Sequence, residues 1–130
     1  MWTAHASVPP RSPCPRAGAG IQTWDSSVGV DCIVANPPYV RPEEYACLEP
    51  GVRLHEPVLA LLGEGKDGLG HHRRIARQAG SLLRRSGLVL LEISPMQARA
   101  ALSLTGVGLS LPRLLKDLAG HARVVALRQG

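Results

Sequence analysis

Asn36, Pro37, Pro38 and Tyr39 follow directly on an apolar run, Asp31-Cys32-Ile33-Val34-Ala35, that is rich in β-branched residues. The two prolines fix φ and carry no N–H, so the backbone there is stiff and presents carbonyl acceptors. The Asn36 side chain adds an amide oxygen as a further acceptor. Two acceptors on one rigid corner can hold both hydrogens of an –NH₂ group. Tyr39 supplies a flat face for a planar amide or base, and a π surface that favours a nearby cation. Such a corner is suited to aiming a planar, weakly nucleophilic –NH₂ at an electrophile. An amide lone pair is delocalised, so orientation must supply much of the catalysis. The competing structural reading is a stiff Pro-Pro turn in which Asn36 only caps a strand end.

Other chemistry-bearing residues form no comparable group. The histidines at 55, 71, 72 and 121 and the cysteines at 14, 32 and 47 lack the short paired spacings of a zinc site, so no metal is expected. Three cysteines at irregular spacing imply no disulfide framework and fit a reduced, cytoplasmic setting. No Ser or Cys stands in a nucleophile elbow. Fifteen Lys and Arg against ten Asp and Glu give a net charge of +5. Apart from His71-His72-Arg73-Arg74 and Arg84-Arg85 the charges are scattered, and no stacking aromatics lie among them. That pattern reads as a solvated helix face, and direct nucleic-acid binding is not expected.

The elements that must position the corner can be read along the chain. With 130 residues, 45% apolar and 19% charged, the chain has a globular composition and room for one domain. No apolar stretch approaches the roughly 20 residues of a membrane helix, so no membrane partner is expected. Residues 1–20 carry four prolines and no acids, and read as a disordered or aberrant leader. Residues 31–35 read as a buried strand, and 43–48 as a helical turn behind Pro42. A Gly-rich loop with a short apolar segment follows over 55–70. The spacing of Leu69, His72, Ala76, Ala79 and Leu83 predicts a helix over 67–85, stopped by Gly87. A second strand is expected over 88–93, a helix over 95–104, and β-structure over 108–116 and 122–128. Alternating strands and helices imply an α/β sheet with parallel crossovers, covered on both faces and closed by an antiparallel hairpin. Ligands of such sheets sit at the carboxyl ends of the strands, which is where Asn36 stands.

The blocks "NPPYV" (36–40), "LEPGVRLHEPVLAL" (48–61), "DGL" (67–69), "GLVLLEISPMQ" (87–97) and "KDLAGHARVVALR" (116–128) occur in that order. Together they resemble the release-factor glutamine methyltransferases (PrmC/HemK type), class I S-adenosylmethionine-dependent N-methyltransferases, over about residues 21–130. The resemblance implies a Rossmann-like sheet, S-adenosylmethionine as donor, and a glutamine side-chain amide of a peptide chain release factor as substrate. Asn36 would bind that amide and lie near the methyl donor. Pro37 would offer its carbonyl to the same amide, Pro38 would hold the loop, and Tyr39 would pack beside the reacting nitrogen. Trp24, in "IQTWDSS", falls roughly where the family has a tryptophan near the adenine; packing on the sheet as a boundary aromatic fits it equally. Arg53, His55 and Glu56 would shape the substrate side of the pocket or brace the loop, with a buried Glu56–arginine pair as the structural alternative. Glu92 and Gln97 suit local bracing, and Asp117 with Arg123 a stabilising contact in the closing hairpin.

The donor side is the departure from the family pattern. A class I methyltransferase opens with a strand, a Gly-rich turn and an acidic residue at the next strand end, but only 35 residues precede Asn36. The segment "AGAG", residues 17–20, follows a Pro-rich stretch and not a strand. The expectation is therefore the C-terminal half of a Rossmann-like catalytic domain with the donor site largely missing. Its sheet would expose one edge and an apolar face, and the chain would be inactive alone. Two rivals remain at this stage. A nucleic-acid adenine amino-methyltransferase shares the NPPY corner but wants a basic groove and a target-recognition region. A non-enzymatic remnant would keep the fold without the chemistry.

Overall fold

The computed structural model describes residues 29–130. The leader and Trp24 lie outside the described residues. The chain enters on strand β1 (Val30–Ala35), then forms three short surface helices, α1 (Pro42–Tyr45), α2 (Pro50–His55) and α3 (Val58–Leu61). Proline opens α1 and α2, where its missing N–H costs nothing and its φ is already helical. Helix α4 (Gly70–Leu82) leads into β2 (Leu83–Glu92). A 3₁₀ turn over Pro95–Gln97 runs into α5 (Ala98–Ala101), and β3 (Arg113–Lys116) and β4 (Ala122–Arg128) close the chain.

The sheet order is β1-β2-β4-β3, with β1 parallel to β2, and β4 antiparallel to both β2 and β3. The closing hairpin is thus present as expected, and β4 inserts between β2 and β3. Because β3 and β2 both flank β4 in the antiparallel sense, β3 runs in the same direction as β1 and β2. The two crossovers, through α4 and through α5, therefore step the same way along the sheet. Right-handed crossovers that step in one direction place their helices on one face.

That geometry corrects the expectation of a sheet covered on both faces. Across the ladders, Ile33 aligns with Val89 and Leu127, and Ala35 with Leu91, Val125 and Leu114. These rows join Leu69, Ala79, Ala101 and Leu104 in the one core cluster. The stripe read from the sequence on α4 is buried throughout: Leu69, His72, Ala76, Ala79 and Leu83. On the opposite face, among the described residues, Val34 is 73% exposed and Leu88 and Leu115 are also open. Among the described residues, the exposed apolar face and the unpaired β1 edge expected from the sequence are both there.

Several element ends differ from the sequence reading. The helix expected to reach residue 85 stops at Leu82, because Leu83 pairs with Val30 and draws Arg84 and Arg85 into β2. The ladder then shifts register before Cys32 meets Leu88, and Ser86 takes φ 64° in that stretch. The helix expected over 95–104 shortens to the 3₁₀ turn and α5 so that Leu104 can turn inward. Beyond it, Gly106 backs onto the Ala76 carbonyl so closely that a Cβ would collide with it. The β-structure expected over 108–116 contracts to Arg113–Lys116, with Leu109 contributing a single bridge to Gln129.

The two faces make a direct test. Leu91→Ala, in a fully buried row, should cost about 2–5 kcal/mol in urea unfolding. Val34→Ser, on the open face, should change stability by no more than about 0.5 kcal/mol. Equal costs would mean that the second face is covered.

Candidate functional site

Strand β1 ends at Ala35 and delivers Asn36–Tyr39 to the carboxyl end of the sheet. Asn36 is exposed, Pro37 is buried, and Pro38 and Tyr39 are half-buried. The next residue is stitched down on both sides: Val40 N–H donates to the Leu61 carbonyl (2.9 Å), and Gly63 N–H donates to the Val40 carbonyl (2.9 Å). All four residues singled out from the sequence line one cleft of about 380 Å³, walled by Leu48, Val52, Glu56, Ala60 and Leu61. A larger hollow of about 700 Å³, lined by Leu88, Arg113 and Arg128 among others, lies at the opposite end of the sheet.

The "VRLHEP" segment divides between cleft wall and solvent. Val52 and Glu56 face the cleft. Arg53 and His55 are exposed, and the Arg53 guanidinium donates to the Ala46 carbonyl at 3.5 Å. Among the described residues no ion pair forms at Glu56, which is exposed and follows a surface helix with no buried residue. A carboxylate in water needs no partner.

The loop is held from behind by Gln97, which is 6% exposed. Its Nε2 donates to the Tyr39 carbonyl (2.9 Å) and to the Asp67 carbonyl (2.7 Å), while its Oε1 accepts from Ser94 N–H (3.1 Å). Gly68, at φ +73°, presses against the same Tyr39 carbonyl, so a Cβ there would collide with it. The Asp67 side chain accepts from Leu69 N–H (3.1 Å) and from Arg73 Nη1 (3.0 Å), tying this knot to the start of α4. The hydrogen bonds from Arg73 outweigh partial burial and hold the Asp67 carboxyl at about 2. The bracing expected of Gln97 is found, but its partners lie 58 and 30 residues away and carry no sequence signal. Asp67 was visible only as part of "DGL"; an Asp three residues before a helix with an Arg six residues on is the signal that could have found it.

The Tyr39 ring is anchored by its hydroxyl, which donates to Glu92 Oε1 at 3.4 Å. Burial, then the neighbouring Glu92, raises the phenol above its ordinary value, so it stays protonated and able to donate. Behind Glu92, the fully buried His72 sets its Nε2 2.7 Å from the Glu92 carbonyl. Burial lowers the His72 pKa, so the ring is neutral and Nε2 carries the proton it donates. Its Nδ1 is then a buried lone pair without a partner among the described residues. Farther along the sheet, Asp117 receives Arg123 Nε (2.9 Å) and the N–H groups of Ala119 and His121 (2.9 Å each), which is the hairpin contact expected there.

The described residues suit the amide side of the expected chemistry and not the donor side. Their densest glycine segment, Gly63–Gly70, is filled by protein. A Cβ at Gly63 would meet Gly68 and Tyr39, and one at Gly70 would meet Glu64. No adenosyl cradle is formed there, and no step is assigned to a donor on these residues.

Two titrations should be readable in the unfolding equilibrium. Asp67 has a folded pKa of about 2, below its ordinary value of 3.8, so its contribution is full above pH 4 and is lost as pH falls towards 2. Asp67→Asn should flatten that acid limb. His72 also has a lowered folded pKa, so the unfolded chain binds its proton first and stability falls as pH drops below about 6.5. His72→Phe should remove that slope and, by stripping the Glu92 carbonyl of its donor, cost about 1–3 kcal/mol at pH 7. Unaltered pH–stability curves in the two variants would contradict these assignments.

No protein-family model matches the chain. Curated proteins do. A release factor glutamine methyltransferase of Cereibacter sphaeroides is 48% identical over 111 residues, covering 83% of this chain and 40% of that protein. One from Thermodesulfovibrio yellowstonii is 41% identical over 99 residues, covering 75% of this chain and 35% of that protein. One from Rhodospirillum rubrum is 38% identical over 117 residues, covering 88% and 36% respectively. The chain thus spans well under half the length of the curated relatives it matches. Over the part that it spans, the chain belongs to the release factor glutamine methyltransferase family.

Proposed function

We propose that the cleft at Asn36–Tyr39 holds the side-chain amide of a glutamine in a peptide chain release factor for N-methylation in the cytoplasm. The observation that carries this reading is which acceptors the loop leaves open. The Tyr39 carbonyl is taken by Gln97 and the Val40 carbonyl by Gly63. Among the described residues no donor meets the carbonyls of Pro37 or Pro38, and Asn36 is exposed at the cleft. The Asn36 side-chain oxygen and the Pro37 carbonyl are therefore the pair that would take the two amide hydrogens. Tyr39, its hydroxyl tethered to Glu92, presents its ring beside them.

When bound, S-adenosylmethionine supplies an electrophilic methyl carbon on a sulfonium. The part left to this chain is orientation: fixing the amide plane so that its nitrogen meets that carbon in line. With the donor bound, its methyl would pass from sulfonium sulfur to the amide nitrogen that Asn36 and Pro37 orient, leaving a neutral thioether, and the amide would release one proton to solvent.

Labelled methyl transfer from S-adenosylmethionine to a purified release factor tests the reading. Asn36→Ala should lower the rate on the order of 10²-fold, with unfolding midpoint unchanged because Asn36 is exposed. Near-normal turnover in Asn36→Ala would overturn it.

A further inference from the structure

Gln97 is buried, and a buried primary amide is costly unless its hydrogen-bonding capacity is used. Here three of its four places are filled: both donors go to carbonyls of two separate segments, and the oxygen receives a backbone N–H. The Tyr39 bond has a directional consequence. It turns the Tyr39 carbonyl towards Gln97, while the Pro37 carbonyl has no donor among the described residues. The Tyr39 carbonyl shares its peptide plane with the Val40 N–H, which donates to the Leu61 carbonyl, so that plane is held at both ends. Gly68 packs against the same amide, since a Cβ there would lie 2.7 Å from Gln97 Nε2. The second donor refers the loop to a rigid part of the fold, since Asp67 is fixed by Arg73 and by the first turn of α4.

We infer that Gln97 is the positioning residue of the amide-binding corner: by holding the Tyr39 and Asp67 carbonyls together, it decides which loop acceptors face the substrate amide. This rests on the amide-holding reading of the cleft. It touches no reacting atom itself; its effect passes through the Tyr39 peptide. A misplacement of about 1 Å in such a site costs on the order of 10²-fold in rate.

Gln97→Glu keeps the shape of the side chain but turns an oxygen, in place of the –NH₂, towards two carbonyl oxygens. In the methyl-transfer assay, kcat should fall on the order of 10²-fold while KM for the release factor stays within about twofold, since the cleft walls that receive the rest of the substrate are not touched. An unchanged kcat, or a loss expressed only in KM, would overturn the role. A second measurement needs neither activity nor the variant. In the unaltered chain, the two Gln97 side-chain amide protons should exchange with solvent much more slowly than those of an exposed glutamine such as Gln78, because the Gln97 side chain is buried and both protons are donated to backbone carbonyls. Exchange at the same rate as Gln78 would remove the tie and the inference with it. Slow exchange together with near-normal turnover in Asn36→Ala would leave the tie standing and overturn the proposed function instead.

Discussion

The carboxyl end of the sheet depends on the hydrogen bond that Gln97 donates to the Tyr39 carbonyl. Two prolines stiffen the loop internally, but stiffness does not fix where a rigid piece points. That direction has to come from contacts with the rest of the fold. Gln97 provides one from behind, the pairing of Val40 with Leu61 and Gly63 provides a second from the side, and Glu92 holds the ring of Tyr39 from below. The glycines at 63 and 68 are required because these contacts bring backbone against backbone at distances that leave no room for a Cβ. Local rigidity and long-range anchoring are separate requirements, met here by different residues.

The same economy shows in how the sheet is covered. Both crossover helices fall on one face because both connections step in one direction, and the buried rows through Val89 and Leu91 follow from that single fact. The other face keeps Val34, Leu88 and Leu115 open among the described residues, along with the β1 edge. An apolar face of this kind is normally met by further structure. The matched relatives are more than twice as long as the span they share with this chain.

What could be read from sequence and what could not divide along a physical line. The α4 stripe was legible because burial imposes a helical period on neighbours in sequence, and all five of its residues are buried. Strand β4 was legible for the same local reason. Strand β1 was legible as a strand but not in its burial: it was read as a buried strand, yet none of its residues is buried, and Asp31, Cys32 and Val34 are exposed. The corner itself was legible because proline limits its own backbone whatever surrounds it. The start of β2 was not, since Arg84 and Arg85 continue a good helix pattern and only pairing with Val30 pulls Leu83 out of it. That both crossover helices share one face was not legible either: it depends on both connections stepping the same way along the sheet, a choice of partners that no local pattern encodes. The ion pair considered for Glu56 failed because a charged residue in a family block was weighed as buried, whereas α2 lies on the surface.

The groups around the cleft also bear on why an amide, and not an acid, would be chosen. Tyr39 and His72 are held neutral, and Gln97 is neutral by nature. The strongly charged pairs, Asp67 with Arg73 and Asp117 with Arg123, spend their charge on each other. What remains turned towards a ligand is a set of acceptors, Asn36 oxygen and Pro37 carbonyl, with Glu56 in the wall. A glutamine can satisfy both acceptors with its two N–H donors. A glutamate of the same shape has no donor to give, so it would leave those acceptors unpaired and set its own oxygens against them. Sites built to pair with an N–H reject an analogue lacking it by as much as roughly 10⁴–10⁵-fold. On the proposed reading the discrimination would follow from the engagement of Arg73 with Asp67 and of Arg123 with Asp117, so that neither arginine is free to compensate for the wrong side chain.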